Sequence, residues 1–178
     1  MLLRLCICDL IPTIKAKTKL VIAMHVAERN KPSNSARILE LALSGTEVRL
    51  QGLEHQQINL DGIVASQREA FLLFPDGPTT PADLLKIEKP ITLVIPDGTW
   101  KQAKKIAHVV TERLKLPQVG LGPGALSSYQ LRTPDRIGRI STLEAVVSVL
   151  EVLEGPDIAN QLRRVFDEMV KRVLSTRR

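Results

Sequence analysis

Residues 91–100, ITLVIPDGTW, set a continuous apolar run against a Pro-Asp-Gly turn, and residues 18–26, TKLVIAMHV, repeat the first half of that pattern. A run apolar at every position and bounded by turn residues is the signature of a strand buried on both faces. Residues 71–74, FLLF, read the same way, and residues 119–121 add a short strand after Pro117. Helical patterns lie between them. Residues 34–43 put Ile38, Leu39, Ala42 and Leu43 on one face, with Gly45 as the stop. Thr80 before Pro81 opens a short helix to about Ile87. Over residues 99–114, Ala103, Ile106, Ala107, Val110 and Leu114 form one stripe, and residues 142–153 repeat it with Leu143, Val146, Val147 and Leu150. After Gly155 and Pro156 a last helix carries Ile158, Leu162, Val165, Phe166, Met169, Val170 and Val173 on one face, core or interface, and Arg163, Arg164, Lys171 and Arg172 on the other. Residues 53–70 show no decisive period. Buried strands alternating with amphipathic helices predict an α/β domain whose sheet is mostly parallel, flanked by helices.

The chain has 178 residues, 44% apolar and 25% charged, which is enough for one full hydrophobic core and excludes a disordered tail. One domain over residues 1–178 is expected, with an N-terminal segment at 1–16 and a basic amphipathic helix at 156–178. No apolar run approaches the ~20 residues a bilayer requires, and the start MLLRLCICDLIPTIK lacks a signal-peptide cleavage site. A cytoplasmic protein without a membrane partner is the expectation. Cys6 and Cys8 cannot make a disulfide framework, and they offer at most two thiolates where structural zinc takes four ligands, so no metal is expected from this chain alone. The net charge of +6 suits an acidic partner such as nucleic acid. Phe71, Phe74, Trp100, Tyr129 and Phe166 are too few for a stacking platform, so RNA contacts should run through phosphates and a pocket. Dinucleotide-binding, Walker, zincin and nucleophile-elbow motifs are all absent.

In parallel sheets ligands sit beyond the carboxyl ends of strands, and three segments occupy such positions. In the first, Asp97 and Gly98 turn the chain into a helix, where Asp97 is either a turn former or a carboxylate placed to accept a proton or orient a substrate. Thr99 with Gln102 forms a capping-box pattern, and Trp100 extends the apolar stripe. In the second, His25 ends a strand, Glu28, Arg29 and Lys31 follow, and Asn34 and Ser35 start a helix whose free N–H groups suit an anion or are simply capped. The third is the long loop GLGPGALSSYQLRTPDRIGRISTLEA; loops of this length are functional or disordered, and its place between two clear elements favours a functional one. Its Arg132, Arg136 and Arg139 could hold a carboxylate or phosphates or equally stand solvated, and Ser141 with Glu144 is a second capping box.

Five blocks of these residues, taken in order, resemble the DTW-domain family, the tRNA-uridine aminocarboxypropyltransferases. They are His25, Glu28, Lys31, Ser33, Asn34 and Ser35; Leu72, Leu73, Phe74 and Pro75; Asp97, Thr99 and Trp100; Tyr129, Leu131 and Arg132; and Ser141, Thr142, Glu144 and Ala145. The resemblance implies a SPOUT-like sheet with a C-terminal knot that binds S-adenosylmethionine. It also implies transfer of the 3-amino-3-carboxypropyl group to N3 of a tRNA uridine, releasing methylthioadenosine. On that footing Asp97, Thr99 and Trp100 would be catalytic, with Asp97 as the base. Gly120, Leu121, Gly122, Tyr129, Leu131, Arg132, Ser141, Thr142 and Glu144 would hold the cofactor, Arg132 as a carboxylate clamp. His25, Glu28, Lys31, Asn34, Ser35, Lys101, Lys104 and Lys105 would face or support the RNA. Family members commonly carry a C-x-x-C upstream of the C-x-C, which this chain lacks. Cys6 and Cys8 are then a relic zinc half-site or one completed by a partner. An RNA methyltransferase using the same cofactor, or a non-catalytic RNA-binding module, would keep many of the same residues. The oligomeric state is not legible.

Overall fold

A computed structural model describes residues 6–52, 57–121 and 140–175. Its sheet has five strands: β1 (Lys19–His25), β2 (Glu47–Gln51), β3 (Glu69–Leu73), β4 (Ile91–Asp97) and β5 (Gln118–Val119). All neighbours pair in parallel, in the order β2-β1-β4-β3-β5. Five helices accompany them: α1 (Ala36–Ala42), α2 (Pro81–Leu84), α3 (Trp100–Leu114), α4 (Thr142–Glu154) and α5 (Pro156–Ser175). The expected α/β class with a parallel sheet is what forms.

Alternation along the central strands sorts the core into two layers. Leu20, Ile22 and Met24 of β1, with Leu93 and Ile95 of β4, face α1, α4 and α5. Val21, Ala23 and Val94 face Ile106, Ala107 and Val110 of α3, and Ile58, Leu60 and Ile63 complete that layer. The Arg113 Nη1 atom donates to the Ile58 carbonyl at 2.8 Å, tying this loop to α3. The apolar stripe of the last helix is core at its centre, since Leu162, Val165, Phe166 and Met169 are buried. None of the described helices is long and apolar enough to cross a membrane.

One strand is added to the expected elements and two helix bounds are corrected. The sequence reading left out β2, whose residues EVRLQ are all half-buried because it lies at the sheet edge. Glu47 there pairs with Lys19 of β1 at 2.5 Å, so charges stand where a central strand would be apolar. The helix at Pro81 ends at Leu84 rather than near Ile87. The first helix begins at Ala36, with Asn34 and Ser35 outside it. The expected C-terminal knot depends on residues 122–139, which lie outside the described residues, as do Gly122, Tyr129, Leu131 and Arg132.

Strand order creates the place for a site. The chain leaves β1 through α1 toward one edge, at β2, and leaves β4 through α3 toward the other, at β5. Between neighbouring strands whose connections part in this way a crevice opens at the carboxyl ends. Met24 and Asp97 are register partners at that point.

Candidate active site

Asp97 follows Leu93 and Ile95 at two-residue spacing, so its side chain shares their face and meets α4 and the loop before α1. It is only 6% exposed. The Thr142 hydroxyl donates to its Oδ1 at 2.6 Å, and Asn34 Nδ2 donates to its Oδ2 at 3.3 Å. Asn34 Nδ2 also donates to the Glu28 carbonyl at 2.9 Å, and its Oδ1 accepts the Arg37 N–H. Of the two capping residues the sequence offers, Asn34 therefore makes the bond, and the Ser35 side chain makes no cap bond to α1. Ser35 Oγ instead accepts the Leu143 N–H at 3.4 Å. Glu28 is buried and takes Lys31 as its partner at 2.7 Å, which brings the neutralising charge a buried carboxylate needs. Segments about 60 and 110 residues apart in sequence thus meet around one carboxylate.

On the other side of the crevice Thr99 caps α3 in a full capping box: the Thr99 N–H donates to Gln102 Oε1 at 2.8 Å, and Thr99 Oγ accepts the Gln102 N–H. Gln102 also reaches His25, with Nε2 3.1 Å from the ring Nδ1, and the same Nδ1 accepts the Ala27 N–H at 3.2 Å. The sequence reading took Gln102 only as a cap. Its second contact spans 77 residues and leaves no local pattern. Trp100 is not core: it is half-buried and stacks on Phe74, ring centroids 5.6 Å apart at 22°. Lys104 Nζ lies 5.7 Å from the indole centroid, within cation–π range. Lys101, Lys104 and Lys105 are all exposed.

The loop after β5 is pinned to the loop after β3 by a glycine pair. A Cβ at Gly120 would stand 2.3 Å from the Gly77 carbonyl oxygen, and one at Gly77 would stand 2.4 Å from the Val119 carbonyl carbon. Leu121, half-buried, packs against the larger core layer as the chain leaves the edge. Ser141 and Glu144 close a capping box at the start of α4, at 2.8 and 3.2 Å, which leaves Thr142 as its first helical residue. Beside α5, where Arg172 donates to the Cys6 carbonyl, the Cys8 N–H and then the Cys8 thiol hydrogen-bond Cys6 and lower its pKa, while the same thiol pair raises that of Cys8. Among the described residues no group of three or more His, Cys, Asp and Glu is arranged to hold a metal.

Known proteins match along most of this chain. The tRNA-uridine aminocarboxypropyltransferase 2 of Drosophila melanogaster is 32% identical over 167 residues, which is 90% of this chain and 66% of that protein. The protein of the same name from Mus musculus is 26% identical, over 85% of this chain and 53% of its own length. The chain thus spans between about half and two thirds of these relatives. A solved structure of Sulfolobus acidocaldarius Trm10 in complex with S-adenosylhomocysteine is similar over 89% of this chain and 67% of that one. At 12% identity and a TM-score of 0.35 the likeness is too loose to carry an argument. The model of the DTW domain matches residues 1–174, and by that match the chain belongs to the DTW-domain family.

Proposed function

We propose that this protein transfers the 3-amino-3-carboxypropyl group of S-adenosylmethionine to N3 of a uridine in tRNA, with methylthioadenosine as the second product. The observation that carries this reading is the convergence on Asp97: Asn34 from the loop after β1 and Thr142 from the start of α4 both donate to its carboxylate at the switch point. Relatives that bear the name of this activity support the class.

The donor set fits the group. A buried carboxylate, a hydroxyl and the first turn of a 13-residue helix meet at the crevice edge. Gly120, Leu121, Ser141, Thr142 and Glu144 would hold it, together with Gly122, Tyr129, Leu131 and Arg132. Bound there, S-adenosylmethionine supplies an electrophilic γ-carbon on a sulfonium whose sulfur leaves as the thioether. The protein's own part is played by side chains. Uracil N3–H is weakly acidic, and Asp97 accepts its proton, a role worth about 10²–10⁴-fold. Thr142 and Asn34 fix the plane of that carboxylate, which is orientation established before the substrate arrives. Ser141 and Glu144 hold the first turn of α4 so that Thr142 stays in place. Thr99 and Trp100 set the opposite wall, with Trp100 braced by Phe74. Lys101, Lys104 and Lys105 take RNA phosphates beside it.

The test is mass spectrometry of unmodified tRNA incubated with the protein and S-adenosylmethionine. The expected product gains one aminocarboxypropyl group, and Asp97→Asn reduces its rate at least 100-fold, at the lower bound for a lost base. A methyl-sized gain would make the protein a methyltransferase. Tight tRNA binding with no gain would make it a binding module. Transfer that persists in Asp97→Asn would remove the base role alone.

A further inference from the structure

The capping box of α3 does more than end a helix. The Thr99 N–H can only donate, so the Gln102 atom 2.8 Å from it must be the amide oxygen. That fixes the other end of the amide: Nε2–H is what faces His25 Nδ1 at 3.1 Å. The Ala27 N–H, again only a donor, points at the same ring nitrogen at 3.2 Å. Two donors converging on Nδ1 require its lone pair, so in the neutral ring the proton belongs on Nε2. Gly52, one residue beyond β2, has φ +91°, and a Cβ there would come within 3.0 Å of Nε2. The chain at 52 therefore leaves this nitrogen room that any side chain would remove. His25 is half-buried and ends β1 beside the crevice.

We infer that Gln102 is a positioning residue that, together with the Ala27 N–H, locks His25 in its Nε2–H tautomer, so that His25 presents a fixed N–H donor to an oxygen acceptor of the bound RNA. The helix cap, a purely local structure, thereby sets the hydrogen-bonding sense of a side chain 77 positions away. The binding half of this inference rests on the RNA substrate proposed above; the tautomer half does not.

Long-range proton–nitrogen NMR of the imidazole rings at about pH 8, above the ordinary histidine range, reads the tautomer directly. His25→Gln removes the His25 signals and so assigns them among the three histidines. Expected in the wild type is an unprotonated, pyridine-type Nδ1 and a protonated Nε2. Gln102→Glu is the decisive variant. Glutamate at this position still closes the capping box, so the melting temperature should hold. It replaces one of the two donors on Nδ1 with an acceptor while the Ala27 N–H remains, so the Nδ1 resonance should shift measurably toward the protonated form. For the binding half, the affinity for an unmodified tRNA transcript is compared between His25→Gln, whose amide nitrogen reaches about as far as Nε2, and His25→Asn, which withdraws the donor. The asparagine variant should bind about tenfold more weakly, the loss of one good hydrogen bond. A wild-type proton on Nδ1, or an Nδ1 resonance that Gln102→Glu leaves unmoved, overturns the part of Gln102 in the tautomer lock. Equal affinities of the two His25 variants overturn the donor role. Failure of group transfer would leave the spectra unchanged, so the two readings fall separately.

Discussion

Asp97 is 6% exposed, and a carboxylate removed from water is stable only if donors replace the water it lost. Thr142 and Asn34 are two of those donors, and they come from segments that share no local sequence with Asp97. Removing one donor takes a hydrogen bond from a buried carboxylate, which costs about 1–3 kcal/mol. Thr142→Val, nearly the same shape without the hydroxyl, should lose stability by that amount in urea titrations and lose transfer activity with it, whereas Thr142→Ser should retain most of both. If valine were tolerated in both assays, the Asp97–Thr142 bond would have no part in the site. The two thiols give a second test at this scale. Cys6 is held below the ordinary thiol range by its hydrogen bonds from Cys8, and Cys8 is held above it. The thiolate is the nucleophile, so near neutral pH a limiting amount of iodoacetamide should label Cys6 ahead of Cys8, although Cys8 is the more exposed. Raising the pH through the Cys6 pKa toward that of Cys8 should narrow the difference. Peptide mapping by mass spectrometry reads the ratio.

Helices α2, α3 and α4 all begin with a capping box, at Thr80, Thr99 and Ser141. At Ser141 the cap bears on the proposed site, because Thr142, the first residue of the capped helix, is the one that bonds Asp97. Ser141→Ala should cost about 1 kcal/mol of stability, the usual cost of a lost cap. It should also reduce transfer by more than that loss of folded protein explains. Ser141→Asp, which keeps an acceptor at the cap, should recover the stability. The boxes at Thr99 and Ser141 were legible in the sequence because a capping box is a four-residue pattern with a hydrophobic period behind it, whereas Thr80 was legible only as an N-cap before Pro81, its box being closed by Asp83. The central strands were legible for a similar reason, since a strand buried on both faces is apolar at every position. β2 was not: as an edge strand it alternates charge with half-buried Val48 and Leu50, and five residues are too few for a period to stand out. Trp100 continued the stripe of α3 on paper, yet it stands in the first turn, beyond the core, where Phe74 is its neighbour. Periodicity gives the direction in which a side chain points but not the depth of the layer it points into.

The order of strands is a property of the whole chain, and no window of sequence contains it. That the loop after β1 and the turn after β4 lie together depends on β2 and β5 taking opposite edges. The contacts Asn34–Asp97, Thr142–Asp97 and Gln102–His25 inherit that long-range placement, so only the chemical candidates were visible beforehand, not their pairing. Charge follows the same logic. The net charge of +6 left open which basic surface matters, and the last helix was as good a candidate as α3. In the folded chain Arg163 of α5 pairs with Glu151, and Arg172 with Glu168 at 2.7 Å. Lys101, Lys104 and Lys105 pair with no carboxylate among the described residues, and they flank the crevice because α3 starts at the end of β4. Each phosphate neutralised by a lysine releases counterions, and the logarithm of the binding constant falls with the logarithm of salt concentration by about 0.7–0.9 per contact. Replacing all three lysines with glutamine should therefore weaken tRNA binding at low salt and flatten the slope by about 2. The equivalent change of Arg163, Arg164 and Lys171 should flatten it by less than 1, because Arg163 is already held by Glu151. If the two triple variants gave equal slopes, the RNA would lie across both helices, and the crevice at β1 and β4 would lose its claim to be the side on which the substrate docks.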